Sequence, residues 1–370
     1  MRICAPGARW RHPDATAVDS PERRPEVLGS VVWSILGAGA AELEASTASP
    51  EWWTDDARLK AVRIALRRLH AAVQAIGPYA QPRQARALAR ELQLPTQALG
   101  AVRDWDVLLA ELAKAVTDDA RLAPALDRAR AERAAALAAA QRRVAGGRLR
   151  QLHSHLFRYA ATCLRAPGKG LDPVLRAVLN GRSQHLAERL AALDVASQPH
   201  STGALSTAGQ PDSTDRPPDR AGEPSRAGSE PEPAEPNPAE TDLAGLPELH
   251  AVRRAARQLR YGLECFAPWL SGVGSVRKRL RTAQDALGRL NDLDMLRLRL
   301  ELLRRATAEP ETQAALASLR DRTTGLLRRQ LEHIPPTLQP LRERALLAEL
   351  SAILDRSEAA RPPREARSDT

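Results

Sequence analysis

Two stretches of this 370-residue chain carry cations at a spacing that suits a row of phosphates. Lys60, Arg63, Arg67 and His70 follow steps of three and four. His250, Arg253, Arg257 and Arg260 repeat those steps 190 residues later. At 100° per residue each set falls within an arc of about 80° and covers about 15 Å of helix. Arginine fits the task because its guanidinium stays charged and offers paired donors to phosphate oxygens. The same helices carry apolar stripes, Leu59, Val62, Leu66, Leu69, Val73 and Ile76 in the first, and Leu249, Val252, Ala256, Leu259, Leu263 and Phe266 in the second. Each stripe is centred about 100° from its cations. The cations thus flank a buried face, where the wall of a groove between helices would stand. Arg277, Lys278, Arg279 and Arg281 add charge one helix later.

The elements that must hold these residues are helical. Hydrophobic residues make up 43% of the chain but aromatics only 3%, so a β-sandwich or doubly wound sheet lacks its usual side chains. No apolar run reaches the length of a membrane span, and the N-terminal residues lack the apolar core of a secretory signal. Cys4, Cys163 and Cys265 are far apart and odd in number, which points to free thiols in a reducing, cytoplasmic setting. Of the 55 basic residues only Lys60, Lys114, Lys169 and Lys278 are lysines. Residues 196–247 carry nine acids against three arginines, a net charge of −6. The rest of the chain therefore carries +16 within a total of +10. Such a charge favours polyanionic partners.

The pattern divides the chain into a disordered tail over 1–25, a first helical bundle over 26–195, a Pro-rich acidic linker over 196–247, a second bundle over 248–357 and a disordered tail over 358–370. Gly77-Pro78, Pro124, Gly146-Gly147, Pro167-Gly168, Pro310 and Pro335-Pro336 separate helices, and Pro95 falls between two helices or inside a kinked one. Residues 59–79 align without gaps on 249–269, and LGAVRDWDVL (99–108) aligns on LGRLNDLDML (287–296). Two matched segments in the same order indicate a duplication. The expected fold is all-α, two pseudo-symmetric antiparallel helical bundles joined by a long disordered acidic linker.

Other residue groups have structural readings. Asp104 and Asp106, and the matching Asp292 and Asp294, form D-x-D pairs. Residues two apart on a helix point about 200° away from each other, so salt bridges to Arg103 or to neighbouring helices are expected rather than a shared metal. Gly100 and Gly288 are expected to permit close helix packing, and Tyr261 and Trp269 to serve in core or helix-end packing. His153 and His155 have no metal-site spacing, and no nucleotide-loop or catalytic-triad motif occurs, so neither a metal, a cofactor nor an enzymatic role is expected. The basic helices are poor in aromatics. This favours a polyanion without bases over single-stranded nucleic acid, with nucleic-acid binding or scaffolding on the same surface as the alternative.

The run LHAVRRAARQLRYGLECF (249–266) with RTAQDALGRLNDLDML (281–296) resembles the second half of a CHAD domain, the conserved histidine α-helical domain. LKAVRIALRRLHAAV (59–73) with LGAVRDWDVLLAEL (99–112) resembles that family's opening HxxRxxxRRxR helix and its LGxxRDxDV segment. The resemblance covers most of 26–357. It implies two bundles about a basic groove, binding of inorganic polyphosphate, association with polyphosphate granules and no catalysis by the domain itself. It assigns polyphosphate contacts to Arg63, Arg67, Arg68, His250, Arg253, Arg257 and Arg260, with Lys278 and Arg281 added. In the second half Gln258 stands at an expected arginine, and in the first half two positions depart from the motif, Lys60 at the histidine position and His70 at the closing arginine. Both remain among the expected contacts.

Overall fold

Asp55 starts the first basic helix, its carboxylate accepting from the Ala57 and Arg58 backbone N–H groups at 2.8 and 3.1 Å. The computed structural model describes residues 27–144, 147–166, 170–196, 246–342 and 344–359. The linker and both terminal tails, expected to be disordered, lie outside the described residues, apart from the linker's ends at Ala196 and Leu246-Pro247 and the first two residues of the C-terminal tail, Glu358 and Ala359, which are helical. Helices run in the order α1 (Leu28–Thr47), α2 (Asp56–Ile76), α3 (Pro82–Asp118), α4 (Ala123–Val144), α5 (Arg148–Arg165), α6 (Leu171–Ala196), α7 (Leu246–Cys265), α8 (Gly274–Ala306), α9 (Pro310–Glu332), α10 (Ile334–Arg342) and α11 (Arg344–Ala359). Pro82 and Pro310 sit in the first turns of α3 and α9, where a missing N–H costs nothing. Pro95 lies inside α3, the second of the two places open to it. Among the described residues no helix is long and apolar enough to cross a membrane.

The halves are related by a pseudo-twofold that the packing makes explicit. α1 packs on α2, and α6 packs on α7 in the same way. Leu28, Val31, Val32, Leu36 and Leu43 of α1 are buried, as are Leu171, Val174, Leu175, Leu179 and Leu186, each 143 residues later. Val27 and Gly170 stand at the same offset and form an antiparallel bridge with one another. Equivalent residues can pair antiparallel only where the symmetry axis passes between them.

Apolar burial ties the halves into shared cores. One continuous cluster includes Leu36 and Leu66 from the first half and Leu259, Phe266 and Leu338 from the second. A second cluster lies further along the long helices, where Leu108 and Leu112 of α3 meet Leu300 of α8 and Leu316 of α9. With α4, these helices form a distal lobe. The basic stretches of α2 and α7 belong to the first cluster, and α2 contacts α7 directly.

Gly100 and Gly288 correct one expectation. A Cβ built at either position meets nothing within 4 Å, so these glycines do not allow close packing. Both lie on the stretches of α3 and α8 that carry the side chains facing the basic helices. Alanine at either is expected to raise stability by about 1 kcal/mol through helix propensity alone. Thermal melting of G100A and G288A checks this, and a lower midpoint would mean that the helices close over these positions.

Candidate functional site

The two cationic stripes converge. Arg67 of α2 lies within electrostatic reach of both Arg253 and Arg257 of α7, and Arg63 lies within reach of Arg67 and of Arg103 on α3. All five stripe arginines, Arg63, Arg67, Arg253, Arg257 and Arg260, are half-buried. Burial first, then the like charges of Arg67 and Arg103, bring the Arg63 guanidinium down to about 10. Burial, with Arg253 and Arg67 beside it, brings Arg257 down to about 10 as well. Arg253 is lowered mainly by burial, against the opposing pull of Asp292. A site that holds several cations together at the expense of their own charged state is complementary to an anion.

The side chains fall into two groups. Among the described residues, Arg63, Arg67 and Arg257 hydrogen-bond to nothing, and the Nε of Arg63 is buried without a partner. The remaining cationic positions of the α7 stripe are held from α8 or by α7 itself. His250 Nε2 lies 3.2 Å from Asp294 Oδ2, and Arg253 reaches Asn291 Oδ1 at 3.5 Å. Arg260 donates to Gln284 Oε1 and to Glu264 Oε1, both at 2.7 Å. Hydrogen bonds from His250 and Arg297 hold the Asp294 carboxyl below its ordinary range. Gln284, Gly288 and Asn291 therefore share the α8 face turned to α7, and the open space beside Gly288 lies between two anchored cations.

The other expected contacts stand apart from this centre. Lys60 is exposed, at the start of the α2 stripe. His70 is half-buried at its far end, and burial lowers its pKa below the ordinary histidine value, so it is less readily cationic than Arg260 at the matching position. Arg68 turns about 100° from Arg67 and pairs with Glu42 of α1 at 3.0 Å. On α8, Arg281 lies about 60° around the helix from Gln284 and Lys278 about 120° from it. Both are exposed. Arg281 can stand at the groove's end, whereas Lys278 is turned outward. Arg103, the counterpart of Asn291, is a further cation beside Arg63 that the stripe pattern did not include.

The acidic pairs mostly bridge neighbouring helices. Asp106 accepts from Arg133 of α4 at 2.6 Å, and Arg133 also reaches Asp56 of α2 at 2.9 Å. Asp104 faces Arg299 at 4.0 Å, and burial raises its pKa despite Arg299 and Arg63. The two histidines of α5 turn to different helices, His155 to Glu91 of α3 at 2.5 Å and His153 toward Glu44 of α1 at 4.0 Å. Two aromatic rings near the site are covered. The Arg299 guanidinium lies 4.5 Å from the Trp105 ring and that of Arg260 4.9 Å from the Tyr261 ring, with both residues under a tenth exposed.

Comparison with known proteins agrees with this architecture. A search of curated proteins gave no match. Among solved structures, the CHAD domain from the plant Ricinus communis is 20% identical, with a TM-score of 0.56, and the match covers 93% of this chain and 98% of that one. PptA from Streptomyces chartreusis is 19% identical, with a TM-score of 0.59, over 85% of this chain and all of the other. At these identities the likeness is one of fold. The family model for the CHAD domain matches residues 37–300 and 242–369. With both basic helices and most of the described fold inside those limits, the chain belongs to the CHAD domain family.

Proposed function

We propose that the protein binds inorganic polyphosphate in the groove between α2 and α7 without turning it over, and associates with polyphosphate granules through that binding. The observation that carries the reading is the cluster of Arg63, Arg67 and Arg257, half-buried cations with no hydrogen-bond partner that crowd one another across two helices. A linear polyanion laid along them would supply the missing acceptors and offset the repulsion. His250, Arg253 and Arg260 extend the row, already oriented by Asp294, Asn291, Gln284 and Glu264. Membership of the CHAD family supports a polyphosphate-related ligand. The covered faces of Trp105 and Tyr261 leave little for nucleobases to stack on.

The test is a titration with long-chain polyphosphate at several salt concentrations, beside DNA and RNA of matched phosphate content. The expected result is tight polyphosphate binding that weakens steeply with salt and a clear preference over both nucleic acids. Equal or stronger nucleic-acid binding would make the groove a general polyanion surface.

A further inference from the structure

The two helices that wall the groove share an apolar core but carry cations that repel one another across it, so contacts beyond the groove bear on their separation. α6 packs along α7 and also touches α2. From it Arg182 reaches both basic helices at once. Its guanidinium donates to the Gln258 carbonyl of α7 and, at 3.1 Å, to the Ala71 carbonyl of α2. Gln258 follows Arg257 directly, and Ala71 lies one turn beyond Arg67. These are the two cations whose charges oppose each other across the groove.

The surroundings are shaped for this side chain. A Cβ at Gly262 would lie 3.0 Å from Arg182 Nη1 and 3.4 Å from its Cδ, so glycine at that point of α7 leaves the guanidinium its path. The position that matches Arg182 across the pseudo-twofold is Gly39 of α1, 143 residues earlier. There a Cβ would lie 2.6 Å from Leu69 Cδ2, and leucine fills the space. The molecule therefore has this two-helix bridge on one side of its axis only.

We propose that Arg182 is the positioning residue of the groove, a two-point bridge that sets the spacing of α2 and α7 and so the distance between Arg67 and Arg257. Its consequence for polyphosphate rests on the function proposed above; the bridge itself does not. Arginine is required because its planar fork presents two donors in fixed relation, whereas a lysine ammonium is a single point that cannot hold both carbonyls to the same geometry.

The full-length chain with Arg182→Lys, Arg182→Met and Arg182→Gly tests this with two readouts. The first needs no ligand. Spin labels attached through an unnatural amino acid at the exposed positions Gln74 and Arg254 report the α2–α7 separation. All three variants are expected to lengthen and broaden that distance. The second is the polyphosphate titration. Affinity should fall about tenfold, the loss of one charge-assisted bond to the ligand, although every contacting side chain is still present. The salt slope should fall with it. Methylguanidinium is expected to restore both readouts in Arg182→Gly and neither in Arg182→Met, which a general loss of stability would not reproduce. Wild-type distances in Arg182→Lys and Arg182→Met would overturn the bridge. So would a changed separation with unaltered affinity and salt slope, which would remove its positioning role. Failure of the wild-type protein to bind polyphosphate would overturn the proposed function instead, with the spin-label distances still deciding the bridge.

Discussion

Replacing Arg63, Arg67 and Arg257 together by glutamine is expected to lower polyphosphate affinity about a thousandfold, at about tenfold or more for each charge-assisted hydrogen bond removed. Among the described residues these are the stripe arginines without a hydrogen-bond acceptor, so the donors they expose to the groove are available to a ligand. The slope of log affinity against log salt should fall by about 2, since each phosphate contact contributes about 0.7 for a single-stranded polyanion. Stability should hold or rise. Burial and mutual repulsion already disfavour the charged forms of Arg63 and Arg257, and a neutral side chain relieves both effects. Titration and thermal melting of the same sample separate the two effects. A loss of affinity under tenfold with the fold intact would remove these residues from the site.

The second large effect is on stability. Phe266 directly follows α7 at the position that matches Ile76, the last residue of α2, and both are fully buried in the shared core. Phe266→Ala is expected to cost about 3–5 kcal/mol, through lost burial and the cavity left in a core that both halves contribute to. Phe266→Ile should cost much less, because the pseudo-symmetric position already accepts that side chain. Denaturant unfolding of both variants checks the order. Equal losses would mean that the two ends of the repeat are not packed alike.

Much of this fold is legible in the residues because its helices are long, strongly patterned and punctuated by proline and glycine. Asp55, Pro82, Gly147 and Pro310 mark helix starts by simple backbone chemistry. The two cationic stripes are visible because their spacing survives duplication. Harder to read was which arginines stay free. That is decided by Asn291, Asp294 and Gln284 on α8, and no spacing within α7 reports on a neighbouring helix. Gly100 and Gly288 were misread because a glycine at a helix surface and one at a helix contact look alike in sequence. The kinship of α1 and α6 was hidden by composition, one carrying three glycines and no arginine, the other three arginines and one glycine. Its signal was the apolar spacing from Leu28 to Leu43, which recurs from Leu171 to Leu186.

The bridge between Val27 and Gly170 places a twofold relation through the middle of the molecule, and that relation bears on what a bound polymer can tell about its own orientation. A nucleic acid has unlike ends, and a site that grips it well distinguishes one strand direction from the other. A chain of orthophosphates reads identically from either terminus. Two facing walls that exchange under rotation offer such a chain the same array whichever end enters first. What discrimination remains comes from the positions where the copies differ, among them Lys60 against His250, His70 against Arg260 and Arg103 against Asn291. For polyphosphate, the ligand proposed above, the groove would be matched in symmetry as well as in charge, and threading in either sense should be nearly equivalent.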